Sequence, residues 1–211
     1  MEDFEYEADH VKHSIGGRGG HIFRRFFHVG MVVFPWLYFE HGEAIADVFS
    51  QTPVQFAAML GFVAFFAELL RMRWGLLIVG QREYEANQIS ALGWGAFAVC
   101  LALILAPQEG GGLEAGKYTI PLICGLTFVD PVMGEVKRAK KGMKNAILIG
   151  LIVSYSIWLA SVMLFSTPLL AAVLLAPLTV AGEVPRLTWI DDNATMILFP
   201  LIPLLLAHWI F

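Results

Sequence analysis

Residues 146–181 read AILIGLIVSYSIWLASVMLFSTPLLAAVLLAPLTVA, two apolar runs joined by Ser166, Thr167 and Pro168 without a single charged side chain. Where no water is available the backbone must bond to itself, and apolar runs this long and unbroken select helices over barrel strands. The joining turn is short, so 146–165 and 169–181 are predicted to form an antiparallel helical hairpin. The second run is brief for a crossing, which tilt or local thinning of the bilayer accommodates.

Working outward, five further apolar stretches fit the same pattern, at about 22–39, 53–70, 89–106, 118–132 and 194–211. The expectation is an all-α polytopic membrane bundle of about seven transmembrane helices. Composition agrees: 57% of residues are hydrophobic and 15% charged, against about a quarter charged in soluble domains. Residues 1–20, polar and closing on Gly16, Gly17, Gly19 and Gly20, lack the apolar core of a secretory signal and are expected to form a flexible leader. Residues 21–211 then make one transmembrane helical domain. The acidic stretch 40–47 is expected as a loop, 74–80 as an interfacial segment too short to cross, and 135–144 as a basic loop.

Of 14 Lys and Arg residues, all but Lys117 fall in segments that this reading puts on one side. Positive residues near span ends mark the cytoplasmic face, so the N-terminus is expected in the cytoplasm. The same face collects Lys12, Arg18, Arg73, Lys140, Arg186 and most polar groups next to a span. Nucleic acid is excluded as a partner, because no soluble surface interleaves aromatic with basic residues. Cys100 and Cys124 lie within apolar runs and read as small buried hydrophobes rather than a disulfide.

Several groups on that face have residue types suited to phosphate chemistry. Arg24 and Arg25 precede His28 by four and three positions, so each pair shares a helical face. Guanidinium matches phosphate oxygens bidentately, although a pair at a helix start can equally snorkel to headgroups. Glu68 and Arg71 share a face at the end of a span, as an ion pair or as part of a site. Arg82, Glu85 and Asn87 precede the next span, whose first-turn amides suit an anion. Asp130, ahead of Gly134, Lys137 and Lys144, is placed to hold a nucleotide-bound Mg²⁺ or to take a proton from a hydroxyl. Asp191, Asp192 and Asn193 precede the last span, where they cap it or, with Glu183, bind a cation.

Taken in order along the chain, these patches resemble the CTP-dependent polyprenol and lipid kinases, a family that includes dolichol kinase, phytol kinase and the yeast-type diacylglycerol kinase. Arg24-Arg25-Phe26-Phe27-His28 is similar to the family's opening Arg-Lys and His. Glu68-Leu69-Leu70-Arg71 resembles its Glu-x-x-Arg, and Arg82 to Ser90 its Arg-x-x-Glu patch. Asp130 and Gly134 match part of the central Gly-Asp-x-x-Ala-x-x-x-Gly signature, with Val129 standing where the family has glycine. Glu183, Asp192-Asn193 and Pro200 look like the C-terminal acidic residue, Asp-Asn and Pro.

The resemblance implies a multi-pass membrane transferase. It would move the terminal phosphate of a nucleoside triphosphate, CTP, to the hydroxyl of a polyprenol, isoprenoid alcohol or diacylglycerol-type lipid at the cytoplasmic face. Asp130, Arg24, Arg25 and His28 would be catalytic; Arg71, Arg82, Gly134, Lys137 and Lys144 would bind nucleotide and phosphate. Asp130, Asp192 and Asn193 would hold Mg²⁺ or another divalent cation, with Glu68, Glu85, Asn87 and Glu183 supporting. The rival readings are a cytidylyltransferase that forms a CDP-lipid, and a non-enzymatic transporter or membrane scaffold. A transporter would place ionisable residues near the bilayer midplane, whereas here they gather at one face.

Overall fold

The structure, a computed structural model, describes residues 14–139, 141–185, 187 and 189–208. Residues 1–13 of the expected leader lie outside the described residues, as do Lys140 and Arg186. The described residues form eight α-helices: α1 (Gly17–Gly30), α2 (Val33–Asp47), α3 (Pro53–Arg73), α4 (Ala91–Leu105), α5 (Thr119–Arg138), α6 (Gly142–Phe165), α7 (Leu169–Glu183) and α8 (Asp192–Ala207). Two 3₁₀ turns, Glu83–Asn87 and Gly112–Gly116, lie between helices. α3, α5 and α6 are each long and apolar enough to cross a membrane, and α4, α7 and α8 are shorter apolar helices.

α5 is the centre of the bundle. Leu122, Ile123, Leu126, Val129 and Met133 are fully buried on it, and it packs on α6, α7 and α8. The outer helices are apolar all round instead. Phe62, Val63 and Phe66 of α3 and Leu148, Ile152 and Met163 of α6 are exposed, a surface that only hydrocarbon would solvate without penalty. Small residues set the approach of the inner helices, as is usual where no hydrophobic force draws helices together. A Cβ on Gly150 would stand 2.5 Å from Met133 Sδ, and one on Gly182 would stand 2.5 Å from the Thr195 carbonyl oxygen and 2.6 Å from Met196 N.

The expected hairpin is α6 and α7. Ser166 takes the left-handed conformation (φ 56°) at the C-cap of α6, the geometry that ends many helices. Ser161 and Thr167 share a hydrogen bond at 2.6 Å across the turn, and Ser154 Oγ donates to the Ala176 carbonyl at 2.7 Å.

Four stretches differ from expectation. The first apolar run is bent: 3₁₀-like bonds from Met31 N to His28 O and Val32 N to Val29 O separate α1 from α2. The acidic stretch 40–47 is helical, within α2 rather than a loop. α5 continues through Pro131 to Arg138, so Asp130, Gly134 and Lys137 are helical and not at the edge of a basic loop. Proline here loses one backbone bond but the helix survives because its neighbours hold it on every side. Residues 14–20, grouped with the leader in the sequence, pack on 80–82. Ile15 N donates to Gln81 O at 2.8 Å, Gly80 N to Ile15 O at 2.9 Å, and Ser14 pairs with Arg82.

Gly182 is where α7 and α8 touch backbone to backbone. Gly182→Ala is expected to lower the thermal midpoint of detergent-solubilised protein, by an overpacking cost of about 1–3 kcal/mol. Gly95→Ala, whose Cβ would meet Met31 Sδ at an ordinary 3.7 Å, should leave the midpoint nearly unchanged.

Candidate functional site

One end of the bundle gathers the ionisable groups of α1, the 81–90 segment, α5, α7 and the start of α8. Arg24 and Arg25 project from α1 in different directions. Arg24 Nη1 donates to Glu85 Oε1 at 3.2 Å, while Arg25 reaches α5, with Nη2 3.4 Å from Glu135 Oε1 and Nη1 4.0 Å from Asp130 Oδ2. Gly134 makes room for that reach, since a Cβ there would stand 2.8 Å from Arg25 Nη2. Glu135 also pairs with Arg138 one turn on.

His28, 7% exposed, lies one turn further into the bundle. Its Nε2 is 2.9 Å from the Leu126 carbonyl oxygen and 3.3 Å from Asp130 Oδ2. Both neighbours are hydrogen-bond acceptors, so Nε2 is the donor. His28 thereby ties α1 to α5 at Leu126 and Asp130.

Across α5, carboxylate oxygens of Asp130, Glu183 and Asp192 all lie within 4.8 Å of one another. Lys137 Nζ donates to Glu183 Oε1 at 2.6 Å, yet Glu183 Oε2 is buried with no hydrogen-bond partner, on a residue 6% exposed. Three convergent carboxylates, one with an orphaned buried oxygen, form the donor set that hard cations such as Mg²⁺ prefer. Asp191 is the N-cap of α8, accepting from Asn193 N at 3.1 Å. Asn193 is not part of the carboxylate group, because its side-chain amide donates to the Ala91 carbonyl at 2.9 Å and so ties α8 to α4. Glu183 stands in the place that the sequence reading gave to Asn193. Both lie at helix ends with oxygen-bearing side chains, and nothing local distinguishes the one that faces Asp130.

Arg82 stacks on Tyr84, hydrogen-bonds its hydroxyl and lies in the field of Asp191 and Asp192. Lys144 is exposed on the first turn of α6, and Asn87 is exposed at the end of the 3₁₀ turn. Neither is joined to the cluster by a described contact.

Glu68 and Arg71 form a separate lock. Arg71, 5% exposed, donates Nε and Nη2 to Glu68 Oε2 at 3.0 and 2.9 Å, Nη1 to Leu76 O at 3.0 Å and Nη2 to Gln88 O at 2.6 Å. Ser90, which caps α4, donates its hydroxyl to Glu68 Oε1 at 2.7 Å. The ion-pair reading of these two residues is the one realised, and every nitrogen of the guanidinium is engaged with protein, where the sequence reading had it on phosphate. Ser90 went unassigned in the sequence, although a serine just ahead of an apolar run is a helix N-cap signal.

Between α1, residues 78–81 and the start of α4 lies a cavity of about 280 Å³, lined in part by Arg24, His28, Gln81 and Glu85. His28 thus stands between this cavity and Asp130.

No protein-family model, curated protein or solved structure matches this chain.

Two outcomes are expected from these contacts. Arg71→Met should destabilise by about 3–5 kcal/mol, because it strands a buried carboxylate; Arg71→Met with Glu68→Leu should recover part of the lost thermal midpoint. Burial, and then the neighbouring Asp192 charge, push the Asp191 carboxyl well above the usual carboxylate range. A raised folded-state value means that the protonated form is the one the fold prefers. Its stabilising contribution is full below the ordinary carboxylate range and is lost as pH rises through the raised value. Asp191→Asn should flatten the fall of the thermal midpoint over that window, read by unfolding scans at successive pH.

Proposed function

We propose that this protein is an integral-membrane lipid kinase that transfers the terminal phosphate of a nucleotide, CTP by resemblance, to the hydroxyl of a polyprenol-like, isoprenoid or diacylglycerol-type lipid. The observation that carries the reading is the meeting of Asp130, Glu183 and Asp192 beside Arg25, His28 and Lys137, drawn from the four helices α1, α5, α7 and α8. Phosphoryl transfer asks for positioning and charge neutralisation rather than covalent chemistry, and these groups supply both.

In this scheme the bundle crosses seven times, with the bent α1 and α2 as one crossing and α3 to α8 as the others. The N-terminus and the carboxylate cluster face the cytoplasm. The support is the charge pattern: Arg24, Arg25, Arg82 and Lys137 stand at the cluster's end, whereas Lys117, paired with Glu109 at 2.5 Å, lies among the acidic groups of the other.

Asp130, Glu183 and Asp192 would hold Mg²⁺, which supplies positive charge against the transferring phosphate oxygens. Arg25 and Lys137 would exchange their present carboxylate partners for phosphate oxygens, which guanidinium groups grip bidentately, with Arg24 held beside them by Glu85. Asp130, oriented by His28, would accept the hydroxyl proton. A bond forms from the alcohol oxygen to the terminal phosphorus, the bond to the bridging oxygen breaks, and the nucleoside diphosphate leaves with that electron pair.

Purified protein in detergent, given Mg²⁺, CTP or ATP labelled in the terminal phosphate, and dolichol, phytol, geranylgeraniol or diacylglycerol, is expected to yield a labelled lipid phosphate. Asp130→Asn should reduce the rate by about a hundredfold or more, and His28→Ala by less. A CDP-lipid product would assign cytidylyl transfer instead, and absence of any product with every donor and acceptor would overturn the reading.

A further inference from the structure

The cavity beside His28 is lined mostly by apolar groups, and two of its polar lining residues each keep one unpartnered atom. Gln81 is 5% exposed and Glu85 2%, and both line the cavity. Gln81 Oε1 accepts from Ile78 N at 2.9 Å, which fixes the amide orientation and leaves Nε2 as a donor with no partner. Glu85 Oε1 accepts from Arg24, which leaves Oε2 as an acceptor with no partner. A buried donor and a buried acceptor left open in this way each carry a desolvation penalty that a ligand group can remove.

We infer that this cavity is the binding site for the head of a long-chain alcohol, whose hydroxyl donates to Glu85 Oε2 and accepts from Gln81 Nε2. A hydroxyl is the small neutral group that meets both needs at once. A carboxylate or phosphate would be repelled by Glu85, and an amine would leave Gln81 unanswered. Water also donates and accepts, but the rest of the cavity does not suit it. The rim is Phe23, Phe27, Ile78, Val79 and Leu92, each between 44% and 53% exposed. Such a mouth on the flank of a bundle with membrane-spanning helices continues an alkyl or prenyl chain from the site into hydrocarbon. Assigning this alcohol as the phosphate acceptor rests on the kinase reading and requires the hydroxyl to move from Glu85 and Gln81 past His28 to reach Asp130; the binding itself requires neither.

The site makes a prediction that a non-specific greasy surface does not. In Glu85→Gln, Arg24 still draws the side-chain carbonyl oxygen, so the amide nitrogen faces the cavity. The hydroxyl then meets two donors and no acceptor, and a methyl ether should bind as well as the alcohol.

The test is photolabelling of the full chain in detergent, without nucleotide, by a hexadecanol bearing a diazirine, with unlabelled hexadecanol or its methyl ether as competitor. Crosslinks are expected at residues 23–31, 78–81 and 92. The alcohol should compete about tenfold better than the ether in the native chain and no better in Glu85→Gln. Gly95→Leu, which extends a side chain from the cavity wall, should cut labelling at least tenfold while Gly95→Ala retains it. Labelling scattered over the exposed faces of α3 and α6, or equal competition by ether and alcohol in the native chain, overturns the assignment and leaves water as the occupant of the polar end. If Gly95→Leu fails to fold, the Glu85→Gln comparison still decides.

The kinase reading is judged separately on the same preparations. Specific labelling with no phosphate transfer removes the kinase and keeps the alcohol site. Transfer whose KM for the lipid alcohol is unmoved by folded Gly95→Leu keeps the kinase and removes the site.

Discussion

A polypeptide that is 57% hydrophobic has no place for an unpaired charge along the middle of its helices, and burying one alone costs far more than burying it with a partner. That constraint orders the rest of the molecule. Ionisable groups collect at helix ends, and those that remain buried are matched: Arg24 with Glu85, His28 with Asp130 and Lys137 with Glu183 between elements, and Arg71 with Glu68 within α3. The first three pairs act as joints of the bundle, and the fourth does so through its further bonds to Gln88 and Ser90. α1 is fastened to α5 through Arg25 and His28, α5 to α7 through Lys137, and α3 to the 88–90 segment through Arg71 and Glu68.

The Glu68 lock and the Asp130 cluster use the same residue types with different outcomes. Arg71 donates through all three nitrogens and Glu68 accepts from Arg71 and Ser90, so nothing in that group is left to bind a ligand. At Asp130 the ledger is open. Glu183 Oε2 is orphaned, Arg25 stands 4.0 Å from Asp130, and carboxylates crowd within 4.8 Å. Burial and the neighbouring carboxyls push Glu183 well above the usual carboxylate range, so the cluster is held together differently from the closed Glu68–Arg71 pair. A similar contrast separates Asn193, whose amide nitrogen bonds the Ala91 carbonyl, from the Gln81 amide and the Glu85 carboxylate, each of which keeps one buried atom without a partner.

The sequence carried the helical class and most element positions, because runs such as 146–165 and 53–70 have only one backbone solution without water. It carried the gathering of charge at one end as well, since helix ends alternate between two sides. What it could not carry were choices made by packing. Pro131 reads as a stop, because proline disfavours helical geometry at the preceding residue. α5 runs through it all the same, being enclosed by α6, α7 and α8, so Asp130 and Lys137 face inward from one continuous helix. The bend between α1 and α2 has a local cause that the continuous apolar run hides: Pro35 has no N–H for the Met31 carbonyl, and Gly30 ends α1. The choice of Glu183 over Asn193 beside Asp130 depends on the rotation of α7 against α8, which is set by the contact of Gly182 with the Thr195 and Met196 backbone.

That contact shows how a residue with no chemistry governs the site. Glu183 follows Gly182 directly, and Asp192 lies one turn before Met196 on the facing helix. The separation of their carboxylates is thus fixed by two backbones in contact rather than by flexible side chains. Thr195 reinforces the crossing, its hydroxyl donating to the Gly182 carbonyl at 2.6 Å, a bond that satisfies an acceptor near the C-terminus of α7. The glycine contact and the threonine bond hold the two helices together, so the α7–α8 crossing is the element that keeps the carboxyl groups of Glu183 and Asp192 close to each other and to Asp130.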